Sequence, residues 1–316
     1  GTGFSEAQCA QTGLLASQYP AAKSPASQYN GQIGGNPNLK PETGKTTAVG
    51  LVFTPTFLPA LSATLDYSRI KITNVITSYG SNFIQSQCLA TGSPFWCSSN
   101  PAPYSPGLHR NAVGSLWSNP EGYVIDPLIN LGGLENKSVD VGLGYRQRIG
   151  NLGQLRARLD GTYLLNLVTT VTTPGGSASY DCAGHFGNSC APATPKWRHR
   201  LAADWDTPFQ GLGFGATWRY YGSVTNTFIT PGNPDYIPGF IIGDPRLPTM
   251  SYLDLRASYV WGKATLRVGC NNVADKDPPP ISLATAGNST QASANTYPGV
   301  YDTSGRYLYA NLTVDF

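Results

Sequence analysis

Hydrophobic and polar positions alternate most cleanly at the end of the chain. Leu308, Ala310, Leu312, Val314 and Phe316 point one way, and Tyr307, Tyr309, Asn311, Thr313 and Asp315 the other. A period of two means a β-strand with one apolar and one polar face. The same reading holds upstream. Leu155, Ala157, Leu159, Gly161, Tyr163, Leu165 and Leu167 oppose Gln154, Arg156, Arg158, Asp160 and Thr162. Trp197, Leu201, Ala203 and Trp205 oppose Lys196, Arg198, Arg200, Asp204 and Asp206, and Leu253, Leu255, Ala257, Tyr259 and Trp261 oppose Asp254, Arg256 and Ser258. The pattern predicts nine strands, near 45–54, 61–76, 122–149, 154–170, 196–206, 212–226, 248–261, 264–276 and 304–316. The fold class is all-β, an antiparallel meander. Its connections alternate in length. Residues 55–60, 150–153, 207–211 and 261–263 form short turns, while 77–121, 171–195, 227–247 and 277–303 form long loops, with 1–44 as a fifth.

Short turns on one side and long loops on the other are the arrangement of a transmembrane β-barrel, with turns periplasmic and loops extracellular. That parity puts the C-terminus on the periplasmic side. Charged residues facing lipid at midplane cost about 2–4 kcal/mol each, so the arginines and aspartates of the polar faces must line a hydrated lumen. Phe53, Phe57, Trp205, Trp261 and Phe316 fall near short turns, where an interfacial aromatic girdle belongs. Composition agrees: 12% of the chain is charged and 11% aromatic, with 36 Gly and 25 Pro. Charge is thus about half the usual share of a soluble domain. No apolar run reaches the length of a transmembrane helix. A net charge of +3 without a basic cluster gives no footprint for nucleic acid. A soluble carbohydrate-binding β-sandwich would share the periodicity but not the turn alternation.

Ordered motifs then carry a family resemblance. Gly35-Asn36-Pro37-Asn38-Leu39-Lys40-Pro41-Glu42-Thr43 leads into a strand. After it come Val49-Gly50-Leu51-Val52-Phe53-Thr54-Pro55, Leu58-Pro59-Ala60-Leu61, and Asp66-Tyr67-Ser68-Arg69-Ile70-Lys71-Ile72. Tyr252-Leu253-Asp254-Leu255, the segment Leu266 to Pro279, and Asn295 to Asp302 before Gly305-Arg306-Tyr307 continue the set. Over residues 34–316 the chain resembles the TonB-dependent outer-membrane transporters. The resemblance implies the C-terminal portion of a 22-stranded barrel closed around an N-terminal plug. In this chain residues 1–44 read as an extracellular loop and strand approach, and 45–316 as C-terminal barrel strands and loops. The plug, the TonB-binding segment and the earlier strands are not found in it. Nine such strands alone leave two edges without partners in lipid, so the isolated chain is expected to aggregate. Tyr309, Val314 and Phe316 resemble the signal read by the barrel-assembly machinery, with Asn311 where that pattern usually has Gly.

Cysteine positions bear on compartment. Cys88 and Cys97 share one long loop and Cys182 and Cys190 another, which suits loop-stapling disulfides in an oxidising exterior. Cys182, His185 and Cys190 are the alternative start of a metal site, with no fourth ligand nearby; no metal or other cofactor is expected. Cys270 is in register with Leu266 and Val268 on the lipid face and reads as a free thiol. The resemblance implies that Cys9 finds a partner upstream.

No catalytic constellation stands out, and the chain does not read as an enzyme. Gly213-Phe214-Gly215 is too isolated for a nucleotide loop and reads as a bend in a strand. Among loop aromatics, Trp96, Trp117, Tyr180, Phe228, Tyr236 and Phe240 are ligand-binding candidates; packing of the loops against one another is the competing explanation. Arg156, Arg158, Arg198, Arg200, Arg219, Arg256 and Arg267 line the lumen, where they are candidates to hold an anionic ligand or the plug; solvated wall charge balanced by Asp160, Asp204 and Asp254 is the favoured reading. The resemblance implies active transport of a bulky scarce nutrient, a saccharide first and an iron–siderophore complex second. Its implied partners are the TonB complex, acting through the segment not present, outer-membrane lipid, the barrel-assembly machinery, and a surface lipoprotein as a lid. A passive porin is the other membrane reading.

Overall fold

The computed structural model describes residues 5–22, 24, 28–239, 241–282 and 295–316. Nine strands follow one another along a single antiparallel path: β1 (Thr43–Phe53), β2 (Leu61–Thr77), β3 (Ile129–Arg148), β4 (Gln154–Thr173), β5 (Trp197–Asp206), β6 (Leu212–Tyr221), β7 (Met250–Trp261), β8 (Ala264–Asn271) and β9 (Tyr307–Val314). A tenth, Gly176–Asp181, pairs back onto β4. The chain order equals the spatial order, as short hairpins dictate. The tightest turn joins β7 to β8: Trp261 pairs with Ala264, and Gly262 between them takes φ 58, which L side chains rarely adopt.

Pairing registers fix the two faces. One row reads Ala157, Ala203, Ala216, Leu255, Cys270 and Leu308 across β4 to β9; its neighbour reads Leu155, Trp205, Phe214, Ala257, Val268 and Ala310. On the opposite face the rows read Asp160, Arg200, Arg219, Tyr252, and Arg156, Asp204, Gly215, Arg256, Gly269, Tyr309. A slip of one residue anywhere would exchange the faces, so the alternation pins the register.

Several boundaries differ from the sequence reading. The strand expected over 122–149 begins at Ile129. Asp126 instead turns inward, accepting from Ser78 Oγ at 3.1 Å and Gly80 N at 3.2 Å, and Tyr123–Ile125 pairs elsewhere. The strand expected over 212–226 ends at Tyr221, and Val224–Asn226 joins a separate small sheet between Arg246–Leu247 and His185–Phe186. That expected over 264–276 ends at Asn271, because Asn272 adopts φ 48 and its side chain bonds both Lys276 N and Lys276 O at 2.9 Å. β6 keeps its partners on both sides through Gly213-Phe214-Gly215.

The described residues divide into two compact units. The first comprises residues within 1–44, 72–134 and 170–178. It holds α1 (Glu6–Ala10), α2 (Ser81–Thr91), α3 (Pro94–Cys97) and a small sheet of Gly31–Gln32, Tyr123–Ile125 and Gly107–His109. Its core is Ile84, Cys88, Trp96, Leu108, Leu116 and Val124. The second unit comprises residues within 45–71, 135–169 and 179–316, with a core of Phe186, Ala193, Val224, Leu247, Met250, Tyr252, Ile281, Tyr297 and Tyr301.

Candidate functional site

The apolar face of the second unit carries aromatic side chains at both ends of its strands. Toward the short turns, Trp205 stacks with Phe214 at 6.1 Å, and Trp261 and Phe209 are exposed. Toward the long loops, Trp197, His199, Trp218 and Tyr220 form a second group. Trp197 Nε1 donates to His199 Nδ1 at 2.9 Å, and the imidazole stacks on Tyr220 at 5.0 Å and meets Trp218 edge-on at 4.6 Å. Leu201, Ala203, Leu253 and Leu255 lie between the two groups. The alternation of β5 hid His199, a polar residue type on the apolar face; only its place between two tryptophan positions could have signalled an aromatic role.

On the polar face lies a cleft of about 990 Å³. Asp66, Asp140, Asp160, Arg198, Arg200 and Arg219 line its walls, with Gly299 and Val300 at its margin. Most charges on this face are matched. Arg158 bonds Asp160 at 2.8 Å, Arg156 bonds Asp206 at 2.9 Å, Arg256 pairs with Asp204, and Arg219 bonds Asp254 and Asp302 at 2.8 Å each. Each of the three aspartates named from sequence as balancing charges therefore has an arginine. Arg198 and Arg200 make no ion pair among the described residues and are exposed in the cleft. Two such guanidiniums, two residues apart on one strand face, offer paired donors to an anionic group.

The aromatic candidates do not gather on this cleft. Trp96 is buried at 4% exposure in the first unit, edge-on to Tyr79 at 4.7 Å, Phe83 at 5.7 Å and Phe95 at 4.6 Å, so it is a core residue. Trp117, in the same unit, is half-buried, with its indole nitrogen buried and unpaired. In the second unit Tyr180 is half-buried, and burial pushes its phenol above the ordinary range. Phe228 N accepts its place in a turn by donating to Asn226 Oδ1 at 3.0 Å, and Tyr236 remains exposed. Phe240 lies outside the described residues. Asp235 ties these loops together, accepting from Ser189 N and Oγ at 2.8 Å and from Thr227 Oγ1 at 2.7 Å.

Cys88 is bonded to Cys97 and Cys182 to Cys190, which leaves no thiolates beside His185 for a metal. Cys9 and Cys270 are free. At the chain end, Val314 stands on the apolar face opposite Ala264, Tyr309 stands on the polar face opposite Gly269, and Phe316 is fully exposed beyond the strand.

The family described as TonB dependent receptor-like, beta-barrel, matches residues 3–273. Similar solved structures include a mutant of the ferric enterobactin receptor from Pseudomonas aeruginosa in complex with enterobactin, at 18% identity and TM-score 0.54, covering 91% of this chain and 34% of that one. The siderophore receptor PirA from Acinetobacter baumannii is similar at 16% identity and TM-score 0.52, over 90% of this chain and 33% of that one. The FrpB iron transporter from Neisseria meningitidis (F5-1 variant) is similar at 12% identity and TM-score 0.51, over 91% of this chain and 34% of that one. At these identities the likeness is one of fold. The chain spans about a third of the length of these structures. No curated protein matches.

Proposed function

Because the chain belongs to the TonB-dependent receptor β-barrel family, whose members are outer-membrane receptors and transporters rather than enzymes, we propose that it supplies C-terminal wall and loops to an active transporter for a ferric chelate. The observation that carries this reading is the two-faced register. A face apolar but for its loop-side end, where His199 stands, suits lipid, and the charged face with its cleft suits a hydrated pathway. Among the described residues the two edges of the meander, β1 and β9, each lack a second partner strand, and closure by further strands of the same barrel removes that cost. The short turns and Phe316 then face the periplasm, the long loops face outward, and Tyr309, Val314 and Phe316 serve barrel assembly. In this reading periplasmic TonB acts through a plug held inside the completed barrel.

The chemical class of the ligand follows from Arg198 and Arg200. Arg198 and Arg200 offer donors to an anionic chelate although Asp66 and Asp140 share the cleft, and the similar solved structures bear the names of ferric enterobactin, siderophore and iron receptors. The saccharide came first on the resemblance alone, and of the loop aromatics that could hold a sugar, Trp96 is a core residue. The full-length protein, expressed in cells lacking their own chelate receptors, should restore uptake of radiolabelled iron from a siderophore panel. It should do so only when the inner membrane is energised. Uptake of a labelled oligosaccharide but of no iron chelate would return the assignment to saccharides. Constitutive ion conductance with neither uptake would favour a porin.

A further inference from the structure

Residues 297–302, in the long connection before β9, fold back onto the polar face. Val300 N and Tyr301 N both donate to Tyr297 O at 2.9 Å, closing one tight turn. Tyr297 and Tyr301 are buried: Tyr297 meets Phe186 edge-on at 6.3 Å, and Tyr301 meets Tyr221 at 6.2 Å. Gly299 and Val300, at the tip of the turn, form part of the cleft's lining.

One ion triad fastens the end of this turn to the sheet. Arg219 on β6 gives Nε to Asp254 Oδ2 and Nη2 to Asp254 Oδ1, each at 2.8 Å. The same Nη2 bonds Asp302 Oδ2 at 2.8 Å. The guanidinium lies 5.0 Å from the centre of the Tyr252 ring, whose hydroxyl accepts from Asp302 N at 3.4 Å.

The triad is lopsided. Asp254 engages Arg219 through both oxygens, accepts also from Asn272 N at 2.9 Å, and sits within the ladder of β7. Asp302 shares a single nitrogen and belongs to no strand. Loss of the Asp302 contact leaves Arg219 still matched by Asp254, so this half can let go without stranding a charge. Arg219 itself lines the cleft.

With Tyr297 and Tyr301 staying in the core as anchors, we propose that the tip between them, Pro298 to Val300, is a releasable strap at the margin of the cleft, held down by Asp302 on Arg219 and loosened when an anionic group in the cleft takes that guanidinium nitrogen. The clamp stands on its own geometry; only the releasing ligand rests on the reading of the cleft as an anion pathway. Full-length receptor in outer membranes, carrying Cys270→Ser and Ser at every other cysteine that the parent protein leaves open to maleimide, tests it through a single added thiol at Val300→Cys and a charged, water-soluble maleimide. Asp302→Asn should speed labelling about tenfold or more, the scale of one charge-assisted hydrogen bond. Asp302→Glu should stay slow. Citrate, as the probe anion, should speed the parent but not Asp302→Asn. Heat-modifiable mobility on a gel confirms that each barrel has assembled. Equal rates for the parent and Asp302→Asn in assembled barrels overturn the strap, and an unchanged parent rate in citrate overturns release by anions. Neither result depends on iron uptake, so the transport reading can fail separately.

Discussion

Arg256 and Asp204 form an ion pair across a strand to which neither belongs. Arg256 is on β7 and Asp204 on β5, and the residue between them in the row is Gly215 of β6. A Cβ built on Gly215 would stand 2.6 Å from Arg256 Nε and 2.7 Å from Asp204 Oδ1, so the missing side chain is the window through which the two meet. Both partners are about one-third exposed, which places the pair among those of modest value. Gly215→Ala should therefore cost about 1 kcal/mol or less. A double-mutant cycle on Asp204→Ala and Arg256→Ala should show coupling in the parent and none in the Gly215→Ala background, read from urea unfolding in detergent. Persistent coupling in that background would place the pair elsewhere.

Cys270 stands between Leu255 and Leu308 on the apolar face. If that face meets lipid, a charged maleimide should leave this thiol unmodified in the assembled receptor and modify it fully once the protein is denatured. Cys270→Arg should cost about 2–4 kcal/mol, the depth-dependent price of a cation facing hydrocarbon. A Cys270→Arg receptor that assembles and unfolds like the parent would argue for a hydrated face there.

Asp126 is buried at 3% exposure in the first unit, and burial raises its carboxyl above the ordinary value of 3.8 against the opposing bonds from Ser78 and Gly80. A carboxyl raised on folding binds its proton more tightly when folded. Its contribution is whole below 3.8 and is lost as pH rises through the folded value. Protease resistance of this unit should thus fall across the mildly acidic range above 3.8. Asp126→Asn, which keeps an acceptor for Gly80 N, should flatten that dependence. An unchanged pH profile in the variant would assign it to another group.

Trp96 and Tyr236 were equal candidates by residue type and separate by position. Trp96→Ala removes the centre of a cluster of four aromatic side chains and should destabilise the first unit by about 3–5 kcal/mol, seen as rapid cleavage of residues 78–128 by protease. Tyr236→Ala, at an exposed site, should leave proteolysis unchanged, and any loss it causes should be in ligand affinity.

Strands β4, β5, β7 and β9 were legible because one face of each is apolar and the other charged, a signal with a single interpretation. The long loops were not. α2 has no apolar stripe to announce it: its buried residues are Ile84 and Cys88, four apart but alone. Asp126-Pro127 separates Tyr123-Val124-Ile125 from Leu128-Ile129, a break signal that a strand over 122–149 passes over, and the buried carboxylate fixes the turn there. The effect of Gly215 lies on neighbours contributed by β5 and β7. Long-range pairing of that kind leaves no local trace. The clamp of Arg219 on Asp302 was hidden for the same reason.

Trp197 and Trp205 mark the two aromatic groups on β5. Eight strand residues rise about 26 Å along the strand. At the usual barrel tilt of about 40° this becomes a height of about 20 Å, against a typical hydrocarbon core of about 30 Å. Such a wall is mismatched to thick bilayers, which would have to pinch around it. Reconstituted into vesicles of graded acyl-chain length, the completed receptor should pack most stably in the shorter chains. The spacing of two tryptophans thereby biases the protein toward the thinner of a cell's two membranes.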